Sequence, residues 1–483
     1  MQRKFLTNLS FLLLVNLIIK PIWIFGIDLS VQNTVGAEQY GFYFNLFNFS
    51  FLFNILCDFG ITNYNNRNIA QNNQLLNKHF SSIVILKVLL GVFYLFITLF
   101  AAVIWGYKNE ELQMLVFLAI NQFLISFILY LRSNISGLLM FKTDSILSVL
   151  DRVVMIAICS VLLWGGITRS PFRIEWFVYS QTVAYIITAL IAMLLVVRKA
   201  SFRKFTWNYP FFLLILKQSL PFAILVLLMS FYNRLDTVML VRLIEGSEGK
   251  IQSGIYAHSY RLLDASNSIA YLFSLLLLPL FARLLKTKSP VDKMVKLSFS
   301  MLFVISVTIT AVCFAYNVEI IDFLYDHYIE ESARLFPILM TCFIAISTTY
   351  VFGTLLTANG NLKHLNYLAA AGMVLNLVLN LILIPRFGAY GSAWASLVTQ
   401  VIMALLQVIL SIYFFDLKFE FSYLVSLFFY IIGIIVTVII IHNLSIDPFI
   451  GGAAIIIISV LISALLRLLN INSLIEILKS KPM

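Results

Sequence analysis

Long apolar runs separated by short polar breaks fill the sequence from end to end. About fourteen of these runs are close to 20 residues long, which is the length an α-helix needs to cross a hydrocarbon core of about 30 Å. Runs this long and this uniformly apolar do not fit the alternating strands of an outer-membrane barrel. The pattern therefore predicts an all-α polytopic membrane protein with about 14 transmembrane helices.

The polar breaks set the boundaries of the predicted helices. These helices are predicted at residues 6–27, 40–62, 80–105, 113–131, 147–168, 176–197, 218–243, 253–284, 297–317, 333–357, 365–384, 391–413, 423–442 and 450–469. A basic loop from Arg198 to Lys204 marks the midpoint of the first twelve. We therefore predict an N-terminal lobe (1–205), a C-terminal lobe (206–414) and an added apolar helix pair with a tail (415–483).

The two halves of the chain repeat. A shift of 213 or 214 residues superposes Gly41-Phe42-Tyr43, at the start of helix 2, on Gly254-Ile255-Tyr256, at the start of helix 8. Because each half has an even number of spans, both halves enter the membrane from the same side, so the repeat is parallel. This predicts two six-helix lobes around a central cavity.

The net charge of +11 does not alter the prediction of a membrane protein, because the positions of the basic residues indicate the orientation of the helices. With a cytoplasmic N-terminus, the predicted inner loops and tails hold twenty lysines and arginines and the outer loops hold five, in agreement with the positive-inside rule. The outer five are Lys108, Arg169, Arg173, Lys250 and Arg386. We predict cytoplasmic N- and C-termini, a first helix that is retained rather than cleaved, and no nucleic-acid partner.

The sequence contains none of the common catalytic motifs. It has no metalloprotease, phosphate-loop, nucleophile-elbow or paired-carboxylate pattern, which predicts a transporter rather than an enzyme. The four cysteines lie within predicted spans without a CxxC spacing, so we expect neither disulfides nor a metal site. No cofactor is expected.

Charged residues inside the predicted spans are the strongest functional signal. Arg234 and Arg261 lie at similar depth in helices 7 and 8, and Lys20 in helix 1 is close to the repeat equivalent of Arg234. Charges at such depth are costly and normally face a bundle interior or a watery cavity. Two cations on opposite walls of a cavity suit a bridging anion such as a diphosphate, which predicts a substrate site at Lys20, Arg234 and Arg261.

Asp236 and Asp264 accompany these arginines and have two interpretations. They are candidates for coupling transport to protons or sodium ions, and the membrane potential alone is a third energy source, since one charge moved through 100 mV is worth about 2.3 kcal/mol. In the other interpretation, the two carboxylates pair with Arg234 and Arg261 and lock helices 7 and 8 together.

Five further polar residues are weaker candidates. Arg152 is expected near the cytoplasmic mouth, and Lys87 is expected to snorkel from a position about two turns inside helix 3. Arg67 is expected in a loop or at the mouth. His258 is expected to be structural rather than a proton relay, although it lies on one helix face with Arg261. Asn48 belongs to a polar stripe on helix 2 that lines the cavity.

Short motifs along the chain resemble those of polysaccharide-transporter flippases of the O-antigen type, over about residues 5–410. They are Gly36-Ala37-Glu38-Gln39-Tyr40-Gly41, Asp58-Phe59-Gly60, Arg67-Asn68-Ile69-Ala70, Ser219-Leu220-Pro221, Asn233-Arg234-Leu235-Asp236, Gly254-Ile255-Tyr256-Ala257, Tyr260-Arg261-Leu262-Leu263, Phe323-Leu324-Tyr325 and Ile384-Pro385-Arg386-Phe387-Gly388-Ala389-Tyr390-Gly391-Ser392-Ala393. The resemblance implies the fold of the multidrug/oligosaccharidyl-lipid/polysaccharide flippase superfamily.

The resemblance also implies a function. Such a protein moves an undecaprenyl-diphosphate-linked oligosaccharide, destined for lipopolysaccharide or capsule, across the bacterial cytoplasmic (inner) membrane by alternating access. It implies a basic cavity for diphosphate and sugars, which maps onto Lys20, Arg234 and Arg261, and contact of helices 13 and 14 with the lipid. The partners it implies are the polyprenyl-diphosphate oligosaccharide, membrane lipid and a polysaccharide polymerase machinery.

Two alternatives stay open at this point. A multidrug antiporter of the same superfamily would export organic cations and would favour a cavity dominated by carboxylates. A membrane polysaccharide polymerase or glycosyltransferase would need long outer loops, whereas the predicted loops are short.

Overall fold

The computed structural model describes residues 14–16, 18–62, 65, 69, 74–138, 140–166, 171–199, 207, 209–418, 420–444 and 446–469. Over these residues the chain is helical, with short turns and no strand, which confirms the all-α prediction. The helices form two compact units, Met1–Gly254 and Ile255–Met483, and each is described in turn. The predicted boundary between the two lobes, at residue 205, stays a prediction, because the lobes were defined by the sequence repeat and these units are defined by compactness.

The first unit contains seven long helices and the start of an eighth. They are α1 (14–35), α2 (37–52), α3 (Gln74–Trp105), α4 (Asn109–Gly137), α5 (Phe141–Trp164), α6 (Ile174–Val197), α7 (Tyr209–Leu243) and α8 (Ser247–Lys286). α8 continues into the second unit.

The boundary between α1 and α2 is sharper than the sequence suggested. The helical stretch runs from Leu14 to Leu52 and is broken only at Gly36, whose φ of 77° lies in the left-handed region that glycine adopts without strain. The prediction of a loop between residues 27 and 40 was therefore wrong. A buried hydrogen bond from the Tyr40 hydroxyl to the Asp28 carboxylate, 3.0 Å long, joins the two helices across this break.

The end of α2 also differs from the prediction. The helix stops at Leu52 instead of residue 62, and a 3₁₀ turn, Asn54–Cys57, follows. Phe59 and Gly60 then take positive φ angles of 47° and 78°, which a continuous helix cannot contain. Hydropathy missed this stop because the residues around the turn are mostly apolar.

The N-terminal turns of α2 and α8 cross in direct backbone contact. A Cβ atom on Gly41 would collide with the carbonyl oxygen of Lys250, and one on Gly254 would collide with that of Ala37. Gly41 and Gly254 are 213 positions apart, and so are Ala37 and Lys250. Each of the two contacts is therefore the repeat equivalent of the other, as a two-fold relation between the repeats requires. Small residues permit such close approach of helices in membranes.

This crossing generates a stability prediction. We expect Gly41→Ala to destabilise the protein by about 1–3 kcal/mol, because the added methyl overpacks a backbone contact. Thermal unfolding of the detergent-solubilised protein measures the effect. Gly26→Ala is the matched control, since its Cβ would lie 3.9 Å from the nearest atom, Ile22 Cγ2, at ordinary contact distance. Equal stability of the two variants would contradict the close crossing.

The second unit contains the rest of α8 and six long helices. They are α9 (Asp292–Ala315), α10 (Ile329–Ala358), α11 (362–387), α12 (389–415), α13 (Phe421–Asn443) and α14 (Pro448–Leu465), with a short helix at Asn317–Leu324. α11 and α12 form one stretch that Gly388, at φ 57°, breaks. The described part of the chain thus contains the fourteen long helices predicted from hydropathy.

Helices α13 and α14 are less simply lipid-facing than their sequences suggest. The Tyr423 hydroxyl lies 2.8 Å from Ser300 Oγ of α9, and the Tyr430 hydroxyl lies 2.7 Å from Ser459 Oγ of α14. Tyr430 also lies 3.1 Å from Thr308 of α9. Buried hydroxyl contacts therefore fix the added helix pair to α9, while its opposite face stays apolar and exposed.

Candidate functional site

Lys87 of α3 is a fully buried cation of the first unit. Its side chain has no exposed surface, and its ammonium donates hydrogen bonds to the Cys57 carbonyl (2.8 Å), the Asp58 carboxylate (2.8 Å) and Ser126 Oγ (2.6 Å). These three acceptors match the three N–H donors of an ammonium group. The arrangement fixes the turn that follows α2.

The prediction that Lys87 snorkels was wrong. The helix α3 begins at Gln74 and not at residue 80, so Lys87 lies about 20 Å from the helix start at 1.5 Å per residue. Its ammonium is buried and pairs with Asp58 instead of extending to water. Nothing in the sequence indicated this pair, because its members are 29 residues apart on separate elements.

The buried pair leads to a second stability prediction. We expect Lys87→Met to destabilise the protein by about 3–5 kcal/mol, because the Asp58 carboxylate loses its compensating charge. The double variant Lys87→Met/Asp58→Asn should regain most of that loss in a thermal-unfolding assay. The exposed pair Arg334–Glu330 provides the control, and Arg334→Met should change stability by less than about 1 kcal/mol. A Lys87→Met protein as stable as this control would contradict the account.

A second group of cations lies where α1, α4 and α5 approach one another. Lys20 of α1 is within electrostatic range of Arg152, Arg132 and Asp151. The Arg132 Nε lies 2.8 Å from the Asp144 carboxylate, and the Arg152 Nε lies 3.5 Å from that of Asp151. Lys20, Arg132, Arg152, Asp144 and Asp151 are named the cationic cluster below.

The cationic cluster carries more positive than negative charge. Among these five residues three cations face two carboxylates, and the Asp28 carboxylate is also within electrostatic range of Arg152. No carboxylate in the described part of the chain forms an ion pair with Lys20. Nearby, Asn16 Nδ2 donates a 3.0 Å hydrogen bond to Ser148 Oγ, which joins α1 to α5. Half-buried cations left in excess within apolar helices make an anion the ligand that best completes the group.

Arg152 occupies a different place from the one predicted. α5 begins at Phe141, so Arg152 lies about 16 Å along the helix and not near its start at the cytoplasmic mouth. Its guanidinium lies 5.2 Å from the centre of the Trp23 ring, which in turn stacks on Phe177 at 5.7 Å. The aromatic contact holds the guanidinium plane in position.

The backbone of α1 is irregular beside this cluster. Residues Ile22–Asp28 form a π-helical segment, directly after Lys20 and Pro21. Proline lacks a backbone N–H and so removes one bond of the helical ladder, and π-helical turns are frequent at functional sites. The segment also brings Trp23 under Arg152.

Arg234 of α7 contacts α2. One of its guanidinium nitrogens lies 3.5 Å from Asn48 Oδ1, and its central carbon lies 5.1 Å from the centre of the Phe51 ring. Asn48 also donates a 3.0 Å hydrogen bond to Thr237 Oγ1, and Asp236 beside it is buried. The charged residues near Lys20 are those of the cationic cluster. The prediction that Lys20 and Arg234 face each other across a cavity stays a prediction.

The remaining predicted residues lie elsewhere. Arg261 and Asp264 are half-buried on α8 in the second unit. His258 Nδ1 lies 2.9 Å from Ser332 Oγ, and its ring stacks on Tyr325 at 4.0 Å, contacts that agree with a structural role. Arg67 lies outside the described residues. The roles proposed for all four stay predictions.

Two site residues were not singled out from the sequence. Asp28 directly follows the predicted end of helix 1, and the structure shows it buried as the acceptor of the Tyr40 hydroxyl. Arg132 was counted only as an inner-loop cation. The only sequence feature that pointed to Arg132 was its position at the end of a predicted span. Among the described residues, no group of three or more His, Cys, Asp or Glu side chains is arranged to hold a metal ion.

Comparison with known proteins decides the family. The family model described as "Polysaccharide biosynthesis protein" matches residues 5–285, more than half of the 483 residues. The chain belongs to this polysaccharide biosynthesis protein family. The resemblance found in the sequence motifs is thereby confirmed.

A relative and two solved structures extend this result. An uncharacterized membrane protein of Methanocaldococcus jannaschii, MJ1375, is 24% identical over 398 residues, covering 77% of this chain and 90% of that protein. The lipid II flippase MurJ in an inward closed conformation has a TM-score of 0.70 at 12% identity, over 94% of this chain and 97% of MurJ. An inward-facing multidrug resistance MATE family transporter of the MOP superfamily scores 0.65 at 14% identity, over 85% and 98%.

These likenesses establish the fold of this family member. Its helices follow the arrangement of MurJ and of MATE transporters, which confirms the predicted superfamily fold. Among the described residues, eleven helical stretches are long and apolar enough to cross a membrane, so it is a multi-pass membrane protein.

Proposed function

We propose that the protein is a flippase that moves a polyprenyl-diphosphate-linked oligosaccharide across the bacterial cytoplasmic membrane, with both termini in the cytoplasm. The observation that carries this proposal is the cationic cluster, where Lys20, which has no ion-pair partner among the described carboxylates, lies within electrostatic range of Arg152 inside apolar helices. The membership of the polysaccharide biosynthesis protein family supports the substrate class.

The two principal cations suit a diphosphate in different ways. Lys20 is a compact point charge on a flexible stem, with three donors and no ion-pair partner among the described carboxylates. Arg152 offers a planar fork that matches two phosphate oxygens at once, and Trp23 holds it in orientation. Together they provide the donors that two adjacent phosphate groups require.

An apolar groove in the second unit suits the lipid tail. It has a volume of about 460 Å³ and lies among α9, α10, α12 and α13. Its lining is almost wholly apolar, as in Phe299, Leu405 and Leu427, and the residues with polar groups are Thr341, Thr348 and Tyr423. A hydrocarbon chain is the ligand that such a surface binds without leaving polar groups unpaired.

The rest of the mechanism follows from alternating access. The cationic cluster binds the diphosphate from the cytoplasmic side, Arg234 and Arg261 contact the sugars, and the tail stays in lipid while the head group crosses. Proton or sodium coupling through Asp236 and Asp264, or the membrane potential, drives the cycle. A polysaccharide polymerase machinery receives the product, which ends in lipopolysaccharide or capsule.

Export of organic cations is the alternative function within the same fold, since MATE transporters share it. The buried carboxylate of Asp28 is the observation that favours this alternative. The excess positive charge of the cationic cluster disfavours it, because the cluster repels a cationic drug.

Transport across liposomes tests the proposal. We expect the double variant Lys20→Ala/Arg152→Ala to lose at least about tenfold in the rate at which a short-chain polyprenyl-diphosphate oligosaccharide reaches the far leaflet, because two charge-assisted contacts are lost. Lys20→Arg should retain most of the activity, since it keeps the charge. Arg334→Ala, which removes an exposed cation, is the matched control.

The outcomes separate the two functions. Wild-type transport of the lipid-linked sugar that the double variant loses supports the flippase and its site. Undiminished transport by a folded double variant contradicts the assignment of the cationic cluster. Export of an organic cation such as tetraphenylphosphonium, without movement of the lipid-linked sugar, contradicts the flippase proposal itself.

A further inference from the structure

A second cavity lies at the opposite end of the first unit from the Arg132–Asp144 ion pair. Its volume is about 530 Å³, within the range of about 300–1,000 Å³ that is typical of small-molecule sites. The first turns of α2, α4, α6 and α8 all contribute to it. Along α4, Glu110 at the cavity precedes Arg132 by 22 residues, or about 33 Å at 1.5 Å per residue.

Hydrogen-bonding side chains of both kinds line this cavity. Glu38 and Glu175 supply carboxylate acceptors, Arg173 supplies guanidinium donors, and the amides of Gln39 and Gln113 supply both. A sugar hydroxyl donates one hydrogen bond and accepts others, so a polyhydroxylated ligand needs this mixture of donors and acceptors. A simple ion needs only one kind.

Aromatic side chains complete the lining. Phe117 and Tyr179 form an edge-on pair with ring centres 4.8 Å apart, yet they stay 36% and 43% exposed. Phe42 lies beneath the Lys250 ammonium, 5.0 Å from it. Exposed ring surface beside hydrogen-bonding groups provides an apolar platform for the carbon–hydrogen faces of a sugar ring.

The charge of the cavity disfavours the diphosphate as its ligand. Three carboxylates, of Glu38, Glu110 and Glu175, face two cations, Arg173 and Lys250, so its sign is opposite to that of the cationic cluster. The presence of those two cations in turn disfavours an organic cation. A neutral ligand with many hydroxyl groups fits the lining better than either ion.

We propose that this cavity is a saccharide-binding site that holds the sugar part of the lipid-linked substrate. Arg173 and Lys250 belong to the predicted outer loops, so the site faces the outer leaflet and receives the oligosaccharide as it leaves the protein. The proposal rests on the proposed flippase function and assigns the neutral sugars to one end of the unit and the diphosphate to the cationic cluster.

A binding experiment without lipid or transport tests this site. Oligosaccharides are released by mild acid from the lipid-linked pool of the host cells, so the probe contains the natural sugars without diphosphate. Saturation-transfer NMR then measures their binding to the purified full-length protein in detergent. We expect Glu38→Gln and Tyr179→Ala each to weaken binding by roughly tenfold, while Tyr413→Ala, which truncates an exposed aromatic outside the cavity, leaves it unchanged.

The results discriminate between the two proposals. Loss of sugar binding in both cavity variants, with the control unchanged, supports the saccharide site. Absence of sugar binding by the wild type, or equal binding by all variants, overturns it and leaves the aromatic residues as ordinary membrane-interface anchors. Binding of inorganic diphosphate, measured on the same wild-type sample, tests the cationic cluster separately, so the saccharide site can fail while the flippase proposal stands.

Discussion

An isolated charge is expensive in the interior of a membrane, and four described cations of the first unit are compensated to different degrees. The three N–H donors of the Lys87 ammonium bind Asp58, the Cys57 carbonyl and Ser126, so none is left to bind a ligand. Arg132 is paired with Asp144. Lys20 and Arg152 are compensated only in part, and that difference separates structural cations from those that can bind substrate.

Helix breaks place these partners. The turn after α2, with positive φ at Phe59 and Gly60, turns the Asp58 carboxylate and Cys57 carbonyl toward Lys87. The π-helical segment that follows Pro21 brings Trp23 under Arg152. At the other end of the unit, the reciprocal contact of Gly41 and Gly254 holds α2 and α8 at backbone distance, beside a cavity of the opposite charge. The irregular backbone segments therefore lie next to the buried cations and the cavity.

Hydropathy predicted the spans well, because a helix in lipid needs about 20 apolar residues whatever surrounds it. The ends were harder to predict, since apolar residues continue past the stop of α2 at Leu52 and polar residues begin α3 at Gln74. The start of α5 at Phe141 is why Arg152 lies further along its helix than predicted, and the burial of Lys87 comes from its pairing with Asp58. The pairing of Lys87 with Asp58 and the approach of Lys20 to Arg152 join separate helices, and only the packed structure reveals them. By contrast, the repeat spacing of 213 residues already paired Gly41 with Gly254, the two glycines of the reciprocal contact.

The most direct measurement of the central claim is an electron cryo-microscopy structure of the protein with a short-chain polyprenyl-diphosphate oligosaccharide bound. The account predicts density for the diphosphate within about 3 Å of the Lys20 ammonium and the Arg152 guanidinium. Diphosphate density bound elsewhere, with the cationic cluster left to solvent, would contradict it.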